Sequence, residues 1–141
     1  LIAQLAGDGS GPARPRLPRR FDGARVLVAE DNDVNAYLLR KLLERSGCRV
    51  EVVNNGAAAI DAVASSRPDI VFMDCIMPGI DGYAATRAIR ASGQRVPIIA
   101  VTASAIDGDR ERCVAAGMND YLTKPITSEG IAAALARWVR S

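Results

Sequence analysis

The stretch DIVFMDCIMPGIDG, from Asp69 to Gly82, decides the fold. Its apolar run Ile70–Met73 reads as a strand buried on both faces, as a parallel sheet sandwiched between helices requires. The strand ends on an acid, Asp74, and runs into a turn built on Pro78, Gly79 and Gly82. A carboxylate at the exit of a buried strand is costly unless something nearby stabilises its charge. The rest of the chain has to supply that partner.

Outward from this stretch, strands and helices alternate. RVLVA (Arg25–Ala29) and RVEVV (Arg49–Val53) are short β-branched runs, PIIAV (Pro97–Val101) is a second continuous apolar strand, and DYLT (Asp120–Thr123) is a fifth. Between them lie helical patterns: Val34, Leu38 and Leu42 up to Gly47, then Ile60, Val63 and Ala64 up to Pro68. Further on come Ala84, Ala85, Ala88 and Ile89, a short polar helix over Arg110–Ala116, and Ile131, Leu135, Trp138 and Val139. Five strands alternating with five helices predict an α/β doubly wound five-stranded parallel sheet, a flavodoxin-like (βα)5 fold with order 2-1-3-4-5.

The 141 residues, 49% hydrophobic and 24% charged, suit one domain. Residues 1–23, rich in Gly, Pro and Arg, read as a linker from a longer chain, with the domain over 24–141. Arg14, Arg16, Arg19 and Arg20 exceed Asp8 and Asp22 by two in that leader. The whole chain carries +2, so the remainder is neutral and no nucleic-acid partner is expected. No apolar run approaches a membrane span, and no secretory signal is legible, so a cytoplasmic domain without membrane contact is expected. Cys48, Cys75 and Cys113 lack paired spacing and read as reduced, packed thiols. Histidine is absent, which removes Ser-His-Asp and Cys-His nucleophiles and histidine-ligated metals.

Polar residues gather where strands end: Glu30 and Asp31 after the first, Asp74 on the third, Thr102 on the fourth, Lys124 after the fifth. In an open parallel sheet these ends share one edge, and the crevice opens at the topological switch point between strands one and three. Glu30 and Asp31 then face Asp74. Three carboxylates so placed require a proton or a cation. An all-oxygen site with few protein ligands fits Mg²⁺, which keeps waters and binds phosphate.

With these residues in place, the chain resembles the receiver domains of two-component response regulators. The motifs VLVAEDN, VFMDCIMPGIDG, VTA and YLTKP occur in order over Arg25–Arg140, and the match is greatest to receivers of hybrid sensor histidine kinases. The resemblance implies that Asp74 is the phosphoacceptor, taking a phosphoryl group from a histidine. It implies Mg²⁺ held by Asp31 and Asp74, by Glu30 through water and by the Ile76 backbone carbonyl. Lys124 would pair with the acceptor, Thr102 would donate its hydroxyl to the phosphoryl oxygens, and Tyr121 would be the aromatic switch. It also implies a cis bond between Lys124 and Pro125. The partner would be a histidine kinase, a histidine phosphotransfer protein, or other domains of the same chain. Such a domain catalyses its own phosphotransfer and dephosphorylation.

Three other readings stay in view. A phosphorylation-independent interaction module would keep the fold without using Asp74. An aspartate-nucleophile phosphatase wants a second Asp two residues after the nucleophile, where Ile76 stands. DNDVNA (Asp31–Ala36) imitates a calcium loop, but Ala36 replaces its Gly and Leu42 its bidentate Glu, so Asp33 is expected to cap a helix instead.

Overall fold

The computed structural model describes residues 21–103 and 107–139. The elements follow in strict alternation. They are β1 (Arg25–Ala29), α1 (Asp33–Arg45), β2 (Arg49–Val53), α2 (Gly56–Ser66), β3 (Ile70–Asp74) and α3 (Gly82–Ala91). After these come β4 (Ile98–Thr102), α4 (Asp107–Ala116), β5 (Asp120–Thr123) and α5 (Ser128–Trp138). All strand pairs are parallel, and the sheet order is β2-β1-β3-β4-β5. This is the expected 2-1-3-4-5 order, with β1 and β3 adjacent at the switch point.

β3 and β4 are buried at every position, as their unbroken apolar sequences require. Side-chain alternation splits the core into two layers. Val26, Val28, Ile70 and Phe72 face Leu39 and Leu43 of α1 and Ile131 and Leu135 of α5. Leu27, Val71 and Met73 face Ala59 and Val63 of α2, Tyr83 and Ile89 of α3, and Cys113 and Ala116 of α4.

The inward face of α1 differs from the sequence expectation. Val34 is 75% exposed and Leu38 40%, and the buried residues are Ala36, Leu39 and Leu43. An all-apolar spacing of four fits two adjacent faces of a Leu-rich helix, and packing selects the one aimed at the sheet. Asn32, not Asp33, caps this helix: its side chain accepts the Asn35 amide at 3.0 Å. α4 begins at Asp107, three residues ahead of the expected start.

The expected leader also needs correction at its end. Phe21 is only 8% exposed and packs with Ala24, Val26 and Cys48, so packing begins ahead of the boundary drawn after residue 23. The Gly23 amide donates to the Gly47 carbonyl at 3.0 Å. Gly47 turns at φ +93, and a Cβ there would strike the Asp22 carboxylate. The other leader residues, 1–20, lie outside the described residues, as do Ser104, Arg140 and Ser141.

Candidate functional site: an acid cluster at the carboxyl edge of the sheet

The strand register sets the site. β1 ends at Ala29 and β3 at Asp74, on adjacent strands, so the residues that follow β1 fall beside Asp74. Ligand oxygens of Glu30, Asp31 and Asp74 all lie within 4.8 Å of one another. Glu30 is 2% exposed and Asp74 4%; Asp31 faces solvent. Two buried acids with a third at the mouth form an oxygen-only cluster able to hold a hard cation.

Each of the two buried acids is only partly satisfied. Asp74 Oδ1 accepts the Ile76 amide at 3.1 Å, and Oδ2 lies 3.7 Å from Lys124 Nζ. Glu30 Oε2 accepts the Asn32 amide at 3.1 Å. Glu30 Oε1 sits 3.3 Å from Lys124 Nζ but is out of line for a hydrogen bond, leaving a buried oxygen with a compensating charge and no donor. Burial pushes the Asp74 carboxyl up, and contact with Glu30 adds to the rise. The Ile76 amide and Lys124 work against both, and the result is about 7 against an ordinary 3.8. Protein donors alone do not balance this charge.

The backbone reinforces the arrangement. The Lys124 amide donates to the Thr102 carbonyl at 2.7 Å, which carries the lysine over the edge from β5. The Lys124–Pro125 bond is cis. Thr102 is buried at the end of β4, the strand paired with β3. Tyr121 is half-buried on β5, in register with Ala100, one strand further out. Ile76 is 73% exposed, and its amide is already committed to Asp74.

The structure thus brings Glu30, Asp31, Asp74 and Lys124 together. Thr102 shares their edge, and Tyr121 stands behind it. Sequence reasoning missed the close fit beneath Asp74. The Gly82 amide donates to the Cys75 carbonyl at 3.1 Å, and a Cβ on Gly82 would run into the Asp74 carbonyl oxygen. The signal was present, because a glycine opening a helix beside a strand-end acid marks a close backbone approach. Tyr83, buried just behind, gave no signal beyond helical spacing.

A doubly wound parallel sheet with a lysine-flanked acid cluster at its switch point defines a class of signalling domain. Residues 26–136 match the response regulator receiver domain, and the chain belongs to that family, a module of two-component signalling. It is 42% identical over 145 residues to the sensor protein GacS of Pseudomonas syringae pv. syringae, covering 98% of this chain and 15% of that protein. The receiver domain of sensor histidine kinase PA1611 from Pseudomonas aeruginosa PAO1 superposes with a TM-score of 0.78 at 47% identity. That match covers 84% of this chain and 99% of the other, whose active site cleft coordinates a magnesium ion. The chemotaxis protein CheY4 of Vibrio cholerae gives a TM-score of 0.78 at 25% identity, covering 83% and 99%. The chain spans only 13% to 15% of the GacS sensor proteins it matches. Among the described residues, no helix is long and apolar enough to cross a membrane.

Proposed function

We infer that this domain accepts a phosphoryl group from a partner's histidine on Asp74, with Mg²⁺ at the acid cluster, and changes conformation in response. The observation that carries this reading is the under-compensated acid cluster: three carboxylates within 4.8 Å, two of them buried, beside one lysine. The donor set fits a hard cation. Asp31 and Asp74 would hold Mg²⁺ directly, Glu30 through water, and the Ile76 carbonyl from the backbone. When bound, the ion supplies positive charge against the phosphoryl oxygens.

The remaining work falls to the chain's own residues. With Oδ1 fixed by the Ile76 amide, Asp74 Oδ2, which faces Lys124, is the nucleophilic oxygen. Its lone pair forms the O–P bond as the P–N bond to the donor imidazole breaks, and the departing nitrogen keeps that electron pair. Lys124 Nζ, placed between Glu30 and Asp74, shifts toward the transferred oxygens. The Thr102 hydroxyl donates to one of them, and Tyr121 turns inward as Thr102 moves.

The donor in this reading is a histidine kinase, a histidine phosphotransfer protein or another domain of the same chain. The similarity to sensor kinases supports a hybrid kinase as the parent. Val34 and Tyr37 on α1 and Ile76 beyond β3 are large, apolar and exposed near the acid edge, which suits a docked helical donor. A location in the cytoplasm is consistent with this role. The phosphatase reading loses support because the position two residues after Asp74 is an exposed, apolar Ile76.

Incubation with a small phosphodonor and Mg²⁺, read by intact mass, tests the assignment. The expected result is one added phosphoryl group on the wild-type chain and none on Asp74→Asn. Equal labelling of the two removes Asp74 as acceptor, and no labelling of either leaves the phosphorylation-independent module.

A further inference from the structure

Beside the edge that holds Asp74 lies a second connected set of side chains, outside the Thr102 and Tyr121 pair. Cys75 follows Asp74 directly and is 1% exposed. The Tyr83 hydroxyl interacts with its sulfur, and Tyr83 itself, on α3, is 4% exposed. The outer end of this path is on α4. The Arg112 guanidinium stacks over the Tyr83 ring, 4.4 Å from its centroid, while Cys113 packs in the same layer as Cys75 and Tyr83.

The mechanical setting makes this path stiff at one end and loose at the other. At the inner end, the start of α3 is locked to β3 by the Gly82 amide on the Cys75 carbonyl, with no room for a Cβ at Gly82. A displacement of the Asp74–Cys75 backbone therefore cannot leave Tyr83 unmoved. At the outer end, α4 touches α3 and β5 and is anchored through the small residues Cys113 and Ala116. Arg110, Glu111 and Val114 on α4 face solvent. Among the described residues of α4 the buried side chains are the small Cys113 and Ala116, and a helix packed through small side chains shifts more readily than one anchored by large apolar groups.

We propose that Tyr83 is a second lever of the switch, joined to Cys75 through its hydroxyl and to Arg112 through its ring, and that it carries events at Asp74 to α4. It rests on the reading of Asp74 as phosphoacceptor and adds a route separate from Thr102 and Tyr121. Tyr121 reaches the layer from β5 and Tyr83 from α3, so α4 is steered from both neighbours. Its exposed outer face, with Val114 and Glu111, is the surface whose position a partner would read.

Tyr83→Phe and Arg112→Ala cut the path at its two ends. The first keeps the ring under the guanidinium and removes only the hydroxyl; the second changes an exposed residue. Backbone amide shifts of the intact chain are recorded with Mg²⁺, with and without beryllofluoride, a phosphoryl mimic. In both variants the shift changes over residues 110–116 should fall to about half of wild type or less, while those at Thr102 and Tyr121 persist. Arg112→Lys, which keeps a cation over the ring, should restore part of the α4 response. A full α4 response in Tyr83→Phe overturns the lever, because a ring that merely fills space is unaffected by loss of its hydroxyl. A wild-type chain without any beryllofluoride response overturns the phosphoacceptor reading, and the lever with it.

Discussion

Asp74 and Asp120 are the same residue type at opposite edges of one sheet, and their surroundings drive them in opposite directions. Asp74 ends β3, and Asp120 begins β5. Burial raises both carboxyls. Asp120 then accepts from the Trp138 indole at 3.0 Å, the Tyr121 amide at 2.9 Å and Arg137 at 3.2 Å, and the net effect holds it below its ordinary value. Asp74 has one amide and a lysine at 3.7 Å, set against burial and Glu30, and it ends raised. The fold satisfies the acid at its amino edge. At its carboxyl edge it leaves a buried acid that the protein's own donors do not fully compensate, and such frustration is characteristic of functional sites.

The largest test of this contrast is the stability of the metal-free chain. Folded Asp74 holds its proton more tightly than unfolded Asp74, so its contribution is present below about pH 4 and is lost as pH rises through about 7. A rise of that size corresponds to a loss on the order of 2–4 kcal/mol. Asp74→Asn has no such loss. Urea unfolding in chelator should therefore show the variant more stable than wild type at pH 8 by about that amount, and nearly equal at pH 4. A variant no more stable at pH 8 would place Asp74 in the same category as Asp120.

The amino edge should instead behave as structure. Removing residues 1–20 is expected to leave the melting temperature unchanged. Removing 1–23 also deletes the buried Phe21 and its neighbouring tie to Gly47. That should cost about 2 kcal/mol, or about 5 °C or more. Equal melting temperatures for the two truncations would show that Phe21 contributes nothing.

Asp120→Asn should cost less, about 1 kcal/mol, because the side chain keeps one acceptor oxygen. A carboxyl depressed by folding stabilises above its unfolded value of 3.8, and that contribution disappears as pH falls through the lower folded value. Wild type and variant should differ fully at pH 6 and converge toward pH 2, the reverse of the Asp74 profile. A difference that grows on acidification would contradict the hydrogen bonds assigned to Asp120.

The sequence made the architecture legible because β3 and β4 are nearly continuous apolar strands and α1, α2 and α3 are each bounded by Gly, Pro or a polar cap. The acid cluster was legible for a related reason: in a parallel sheet, Glu30, Asp31, Asp74 and Lys124 can only share one edge. What stayed hidden depends on three-dimensional packing. Leu38 and Leu39 are equally apolar, and only the sheet selects Leu39. Phe21 stands among Arg, Asp and Gly and becomes core only once α1 and β2 are folded against it. Tyr83 matches helical spacing like any core residue; its link to Arg112 spans 29 positions that no local pattern relates.

The smallest expected effect concerns the helix face that sequence spacing misassigned. Val34 is the second residue of α1, near the acid edge, and is 75% exposed, so little of its surface leaves water on folding. Val34→Ser should then change unfolding free energy by no more than about 0.5 kcal/mol, the usual range for a surface substitution that removes no buried contact. The cap belongs to Asn32, whose bond to the Asn35 amide the substitution leaves intact. Serine lowers helix propensity only slightly relative to valine or not at all, so no second contribution masks the result. A core position would respond differently, because deleting buried methyl groups there costs about 0.5–1.5 kcal/mol even for the mildest truncation. Urea unfolding at pH 6 separates the two cases. A loss above 1 kcal/mol would mean that Val34 is covered, and that the apolar surface of α1 beside Asp74 is already occupied by the chain itself.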